Sequence, residues 1–221
     1  WIASILRRSM QKGITYAAFF TGIILSGWTL VRLIKYQVVA IPTLTRYLWY
    51  AFYIFQLSLP LVLLWMAWAI DKPENETIPS KWWRNIAVLI SVLIILVFTN
   101  DIHGLVFHLD LSRLDWDINY SYGYGYYTIL FVCMINLVAV FAILMQKSIK
   151  NPRKKGFIFP LSLFFMFGIY NFKYIMRDPF VYETELTIIT GLFTMLMFES
   201  CIRSGLIPIN TKYIDLFTRS P

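Results

Sequence analysis

Long apolar runs separated by short polar connections dominate the chain, and the length of the runs limits what they can be. A helix that crosses a bilayer needs about 20 apolar residues. Six segments reach or approach that length: residues 14–34, 47–70, 86–98, 124–145, 157–176 and 186–202. The third is short on its own, and Trp82 and Trp83 at one end and the stretch through Ile102 at the other extend it, as interfacial Trp residues and polar caps commonly do. The pattern predicts an all-α, polytopic transmembrane helix bundle with six spans over residues 1–204, followed by an exit segment over 205–221. Pro60, Pro160, Gly22, Gly27 and Gly168 do not fall into matched halves, as the broken helices of an inverted-repeat transporter would.

The longest polar interruption is the loop over residues 99–123 together with the start of the next run. It holds both histidines of the chain, His103 and His108, with Asp101, Asp110, Asp115, Asp117, Trp116 and the tyrosines from Tyr120 to Tyr127. A spacer needs none of these. A loop rich in aromatic and titratable groups, hung between two apolar segments, is where a ligand is first expected.

Composition excludes the soluble alternatives. With 58% hydrophobic and 14% charged residues and a mean hydropathy of +0.62, the chain is far from the charged fraction of a soluble domain. The net charge of +8 would suit nucleic acid, but the basic residues sit in short clusters between apolar runs, as topology signals do, and no basic-aromatic motif accompanies them. Counted on alternate connections, 14 Lys and Arg fall on one side and 6 on the other. The excess predicts that both ends face the cytoplasm, with the loop 99–123, the turn around Pro42 and the turn over 177–185 outside. Of the two sequons, at Asn75 and Asn119, the second is then the external one. Cys133 and Cys201 lie in apolar runs at opposite depths, so no disulfide is expected between them. The apolar start, Trp1 to Leu6 before Arg7 and Arg8, reads as the tail of an earlier apolar segment.

Polar groups inside spans are costly enough to ask for a partner or a task. Ordered by depth, Tyr50, Tyr53, Gln56, Asn100, Asp101, Tyr126, Tyr127, Asn171, Lys173, Tyr174, Glu183 and Glu185 share one outer level. The expected ligand-binding set is Tyr53, Gln56, Asn100, His103, Tyr122, Tyr126, Asn171, Lys173 and Glu185, converging under the loop. Blander roles compete. Tyr and Trp gather at interfaces through amphipathicity alone, and Lys173 can snorkel outward or pair with Glu185. His103 and His108, five apart, lack the i, i+4 spacing of a helical zinc pair, although metal binding and pH sensing both remain readings of them. Glu199 and Arg203 suit an intrahelical ion pair, and Asn136 a bond between helices. There is no Ser-His-Asp arrangement, no HExxH and no phosphate-cradling glycine loop; residues 122–126, YGYGY, read as a flexible aromatic turn. No catalytic residue, metal ligand or cofactor is assigned.

Three stretches carry a resemblance. Residues 99–107, TNDIHGLVF, resemble the TNPxHxLFW-like end of a middle helix in the N-terminal seven-helix sensor region of bacterial histidine kinases. Tyr122-Gly123, followed by aromatics and a long apolar run, is similar to the start of that family's next helix. Gly191-Leu-Phe193 and the exit through Pro208 to Phe217 resemble its lead into a cytoplasmic output domain. Asp101 stands where the family tends to have Pro, and Gly104 where a second His is frequent. The resemblance implies helices 2–7 of a seven-helix sensor in a two-component system, taking a small-molecule or peptide ligand on the outer side and passing the signal to an output domain, with a homodimer as the usual assembly. The rival expectations are a small transporter or channel and an integral-membrane enzyme acting on lipid.

Overall fold

A computed structural model describes residues 3, 5, 11–39, 41–73, 76–79, 81–110, 120–149, 158–176, 178–182 and 185–207. Several residues named above lie outside this set: Arg7, Arg8, Asn75, Arg113, Asp115, Trp116, Asp117, Asn119, the basic run at 150–155, Arg177, Glu183 and the exit beyond residue 207.

The apolar runs are helices: α1 (Lys12–Gln37), α2 (Pro42–Ala69), α3 (Lys81–Phe98), α5 (Tyr124–Ile149), α6 (Ile158–Ile175) and α8 (Leu186–Arg203). Among the described residues, all of these except α6 are long and apolar enough to cross a membrane. The 18-residue α6 occupies the expected fifth segment. α3 takes in Trp82 and Trp83, which lengthens the third segment as expected. α2 starts five residues before the apolar run does, because Pro42 sits in its first turn, where a missing N–H costs nothing and φ is already helical. Between α3 and α5 the chain forms a one-turn helix α4 (Asn100–His103) and an antiparallel pair of β1 (Phe107–His108) with β2 (Ser121–Tyr122). A further turn, α7 (Pro179–Tyr182), precedes α8.

α2 is the most enclosed helix, packing against α1, α3 and α5. Contacts of α1 with α2, α2 with α5, α5 with α6, α6 with α8 and α8 with α1 close a ring of five helices, and α3 lies against α2 on its outside. Each helix satisfies its own backbone, so the ring can carry its polar side chains inward without an open sheet edge in the bilayer. Buried side chains form two clusters. At the end away from the hairpin, α1, α2, α5 and α8 interlock mainly through aliphatic and sulfur-bearing residues such as Leu64, Met66, Ile70, Leu144 and Met197, with the rings of Trp65 and Phe198 among them. At the hairpin end, α2, α3 and α5 pack around Tyr50, Tyr53, Val97, Phe107, Tyr126 and Ile129.

Candidate functional site

The hairpin end is built from the backbone outward. Asn100, the buried first residue of α4, accepts through Oδ1 from the Val106 and Phe107 N–H groups at 2.9 Å each and donates through Nδ2 to the Phe107 carbonyl at 2.9 Å. One side chain thus fixes the start of β1. Asp101 beside it accepts from the Tyr50 hydroxyl at 2.6 Å and from Arg46 at 2.9 and 3.1 Å, tying α4 to α2. His103 uses both ring nitrogens locally: Nδ1 accepts the Leu105 N–H at 2.9 Å, and Nε2 lies 3.1 Å from the Thr99 hydroxyl. Gly104 closes α4 at φ +62°, a left-handed conformation that suits glycine.

The aromatic stretch is tied to the start of β1. Gly123 and Gly125 donate their N–H groups to the Val106 and Leu105 carbonyls at 2.9 and 2.8 Å. A Cβ on Gly123 would stand 2.2 Å from the Leu105 carbonyl oxygen. These glycines are there for close approach, and the stretch read as a turn at 122–126 is the end of β2 and the first residues of α5. Pinned between the two chain stretches, Phe107 becomes a hub. Its ring lies 4.6 Å from Trp49, 5.4 Å from Tyr53 and 6.0 Å from Tyr126, centroid to centroid. Tyr122 and Tyr126 stack at 3.9 Å with their planes 13° apart.

Inside the ring of helices these aromatics wall a chamber of about 160 Å³. α1 contributes Trp28, Arg32 and Tyr36, α2 contributes Trp49, Tyr53 and Gln56, the hairpin Tyr120 and Tyr122, α5 Tyr126, α6 Tyr174, and α8 Leu186 and Thr187. Below it, towards the middle of the bundle, a second space of about 80 Å³ is lined by apolar groups, including Leu59, Pro60, Cys133 and Leu137, with Asn171 and Thr190. Trp28, Gln56 and Leu186 line both spaces. Pro60 has no N–H to donate to the Gln56 carbonyl one turn earlier, so the junction of the two spaces coincides with a break in the α2 ladder.

Of the nine expected ligand residues, Tyr53, Gln56, Tyr122 and Tyr126 line the upper chamber, and Asn171 lines the lower one beside Gln56. Asn100 and His103 serve the loop backbone instead. Lys173 pairs with Asp178 at 3.3 Å, and Glu185 pairs with Arg32 at the chamber rim, so the two do not pair with each other. Asn136 donates to Val132 of its own helix at 2.8 Å rather than across helices, while Glu199 and Arg203 do form the expected i, i+4 pair at 3.3 Å. Among the described residues no three His, Cys, Asp or Glu side chains group as a metal site.

Trp28, Arg32 and Trp49 were not among the expected residues. Arg32 carried the missed signal: a guanidinium within an apolar helix is a functional candidate whichever way it counts for topology. Trp28 and Trp49 gave none, since a Trp near a span end has an interfacial reading by default.

Fold and chamber together define a multi-pass helical membrane protein with an enclosed aromatic space at one end. The chain belongs to the family described as the N-terminal 7TM region of histidine kinase, whose model matches residues 1–205. No curated protein and no solved structure matches it. Membership accounts for a membrane sensor region of the histidine-kinase type and agrees with the resemblance read from the hairpin sequence.

Proposed function

We propose that this chain is the ligand-receiving module of a receptor, with the hairpin end outside, both chain ends in the cytoplasm, six membrane spans including α6, and an output domain, a histidine kinase, beyond α8. The chamber is its binding site. The observation that carries this reading is that the chamber wall includes Leu186 and Thr187, the first residues of α8. An occupant therefore touches the helix that, on this reading, leads towards the output domain. α8 is anchored at its far end by Met197, Phe198 and Cys201 in the aliphatic cluster. A ligand shifts a receptor only by its unequal affinity for two packings, and a site shared between α8 and four other helices gives it such a handle.

A transporter is disfavoured by the packing: no charged side chain lines the lower space, and beyond Leu63 and Leu137 the cavity narrows to about 10 Å³ against Thr194 and Met197. The test uses the full-length parent in nanodiscs and needs no ligand. Leu137→Trp fills the lower space and Tyr126→Ala opens the upper one, so basal autophosphorylation is expected to move in opposite directions, by about 3-fold or more, with the fold retained by circular dichroism. Folded variants that both autophosphorylate at the parental rate overturn the reading.

A further inference from the structure

The chamber's chemistry is one-sided. Arg32 is the one charged side chain among its described lining residues; the remaining polar groups are mostly tyrosine hydroxyls, with Gln56, the Thr187 hydroxyl and the indoles of Trp28 and Trp49. Just behind the wall, Lys35 is 5% exposed and places its ammonium 4.4 Å from the Tyr36 ring and 5.8 Å from that of Phe52, both of which line the chamber. Glu185 pairs with Arg32 from the rim and is half exposed. An ion pair with one partner so exposed contributes little and is readily exchanged for another anion. Arg32 also reaches the Thr187 hydroxyl at 3.4 Å, so the guanidinium holds both the N-cap and the first turn of α8.

A second observation comes from the junction of the two spaces. Trp28 is 4% exposed and its indole N–H is buried without a hydrogen-bond partner among the described residues. A buried, unmatched donor is costly and asks for an acceptor. The ring that carries it lines both the polar chamber and the apolar space below. Volumes of about 160 and 80 Å³ suit a small amphiphile, not a folded peptide.

Resting on the reading of the chamber as the receptor's binding site, we propose that the ligand is a small anionic amphiphile: its anionic head exchanges for Glu185 on Arg32 and accepts from the Trp28 indole one turn away, and its apolar chain passes Gln56 into the lower space. Capture of the head then releases the Arg32–Glu185 tie between α1 and α8, which links occupancy to the signalling helix. The same head chemistry can come from a freely diffusing carboxylate or from an anionic bilayer lipid.

The experiment measures saturable binding of radiolabelled octanoate, and of octanol, to the chain in phosphatidylcholine nanodiscs by equilibrium dialysis, with empty discs subtracted. Octanoate is expected to bind at least 10-fold more tightly than octanol. Arg32→Gln should weaken octanoate at least 10-fold, Arg32→Lys less, and Glu185→Gln should tighten it about 3-fold by removing the competing carboxylate. Discs containing phosphatidylglycerol that suppress octanoate binding assign the head to a bilayer lipid; unchanged binding assigns it to a diffusing amphiphile, and both keep the anionic head. No saturable octanoate binding, equal affinity for octanol, or an Arg32→Gln protein that is folded by circular dichroism and binds normally overturns the proposal. Glu185→Gln removes no core contact, so an unchanged or weakened affinity there counts against it even if Arg32→Gln fails to fold. Leu137→Trp separates the two levels. If it abolishes equal binding of octanol and octanoate, the site stands and the anionic head is wrong; if it leaves octanoate binding untouched, the chamber itself is misread.

Discussion

The two ends of the bundle are held by different forces. Away from the hairpin, α1, α2, α5 and α8 meet through closely packed aliphatic side chains, and the polar help is sparse: Lys147 donates to the Trp68 and Ile70 carbonyls that end α2, and Trp65 donates to the Thr77 carbonyl at 2.9 Å. At the hairpin end, the rings of Tyr50, Tyr53, Phe107 and Tyr126 gather among the aliphatic chains and hydrogen bonds fix the backbone, with Asn100 and Asp101 at the centre. Tyr53, Tyr122 and Tyr126, carried by that fixed frame, stand around the chamber as its wall. One end is closed because its side chains conform to each other, and the other is open because its frame is fixed first.

The largest expected effect breaks that frame. Asn100→Ala leaves the Val106 and Phe107 N–H groups and the Phe107 carbonyl without their partner, and should cost about 3 kcal/mol of stability. A lowered thermal midpoint and loss of hydrogen-exchange protection at Val106 and Phe107 check it. Asn136→Ala, which removes one bond within its own helix, should stay within about 0.5 kcal/mol, so equal costs for the two would sink the distinction. Phe107→Ala should cost roughly 3 kcal/mol, close to Met66→Ala at the other end, since both side chains are fully enclosed. The pair divides on function: Phe107→Ala should also abolish octanoate binding, while Met66→Ala leaves it. A smaller effect than at Asn100 or Phe107 is expected at the rim, where Arg46→Gln loses a partly exposed ion pair and should cost about 1 kcal/mol in thermal unfolding at low salt, falling as salt is raised.

The hairpin shows where reading a sequence stops. The stretch over residues 99–127 is recognisable at once as unusual, and its rings do wall the chamber. Yet YGYGY has the composition of a mobile turn. Only the approach of Leu105 and Val106, brought back by the side chain of Asn100, shows that Gly123 is there for lack of room. His103 drew notice as a rare titratable group and turns out to brace the loop, while Arg32, counted only as a topology signal, stands in the chamber wall.

What the sequence determined by itself is the set of helices and the end of the bundle where polar chemistry gathers. Apolar length does this without reference to neighbours, because in a bilayer each segment must satisfy its own backbone. Even there the boundaries moved where a local cause acted, as Pro42 did for α2. Tertiary structure alone decided which polar side chains share a space and which charges pair. Depth along a helix is legible from residue number, but facing depends on how the helix is rotated and on which helix lies beside it. Glu185 therefore meets Arg32 and Lys173 meets Asp178, because the ring closes α8 against α1 and the α7 turn folds back on α6.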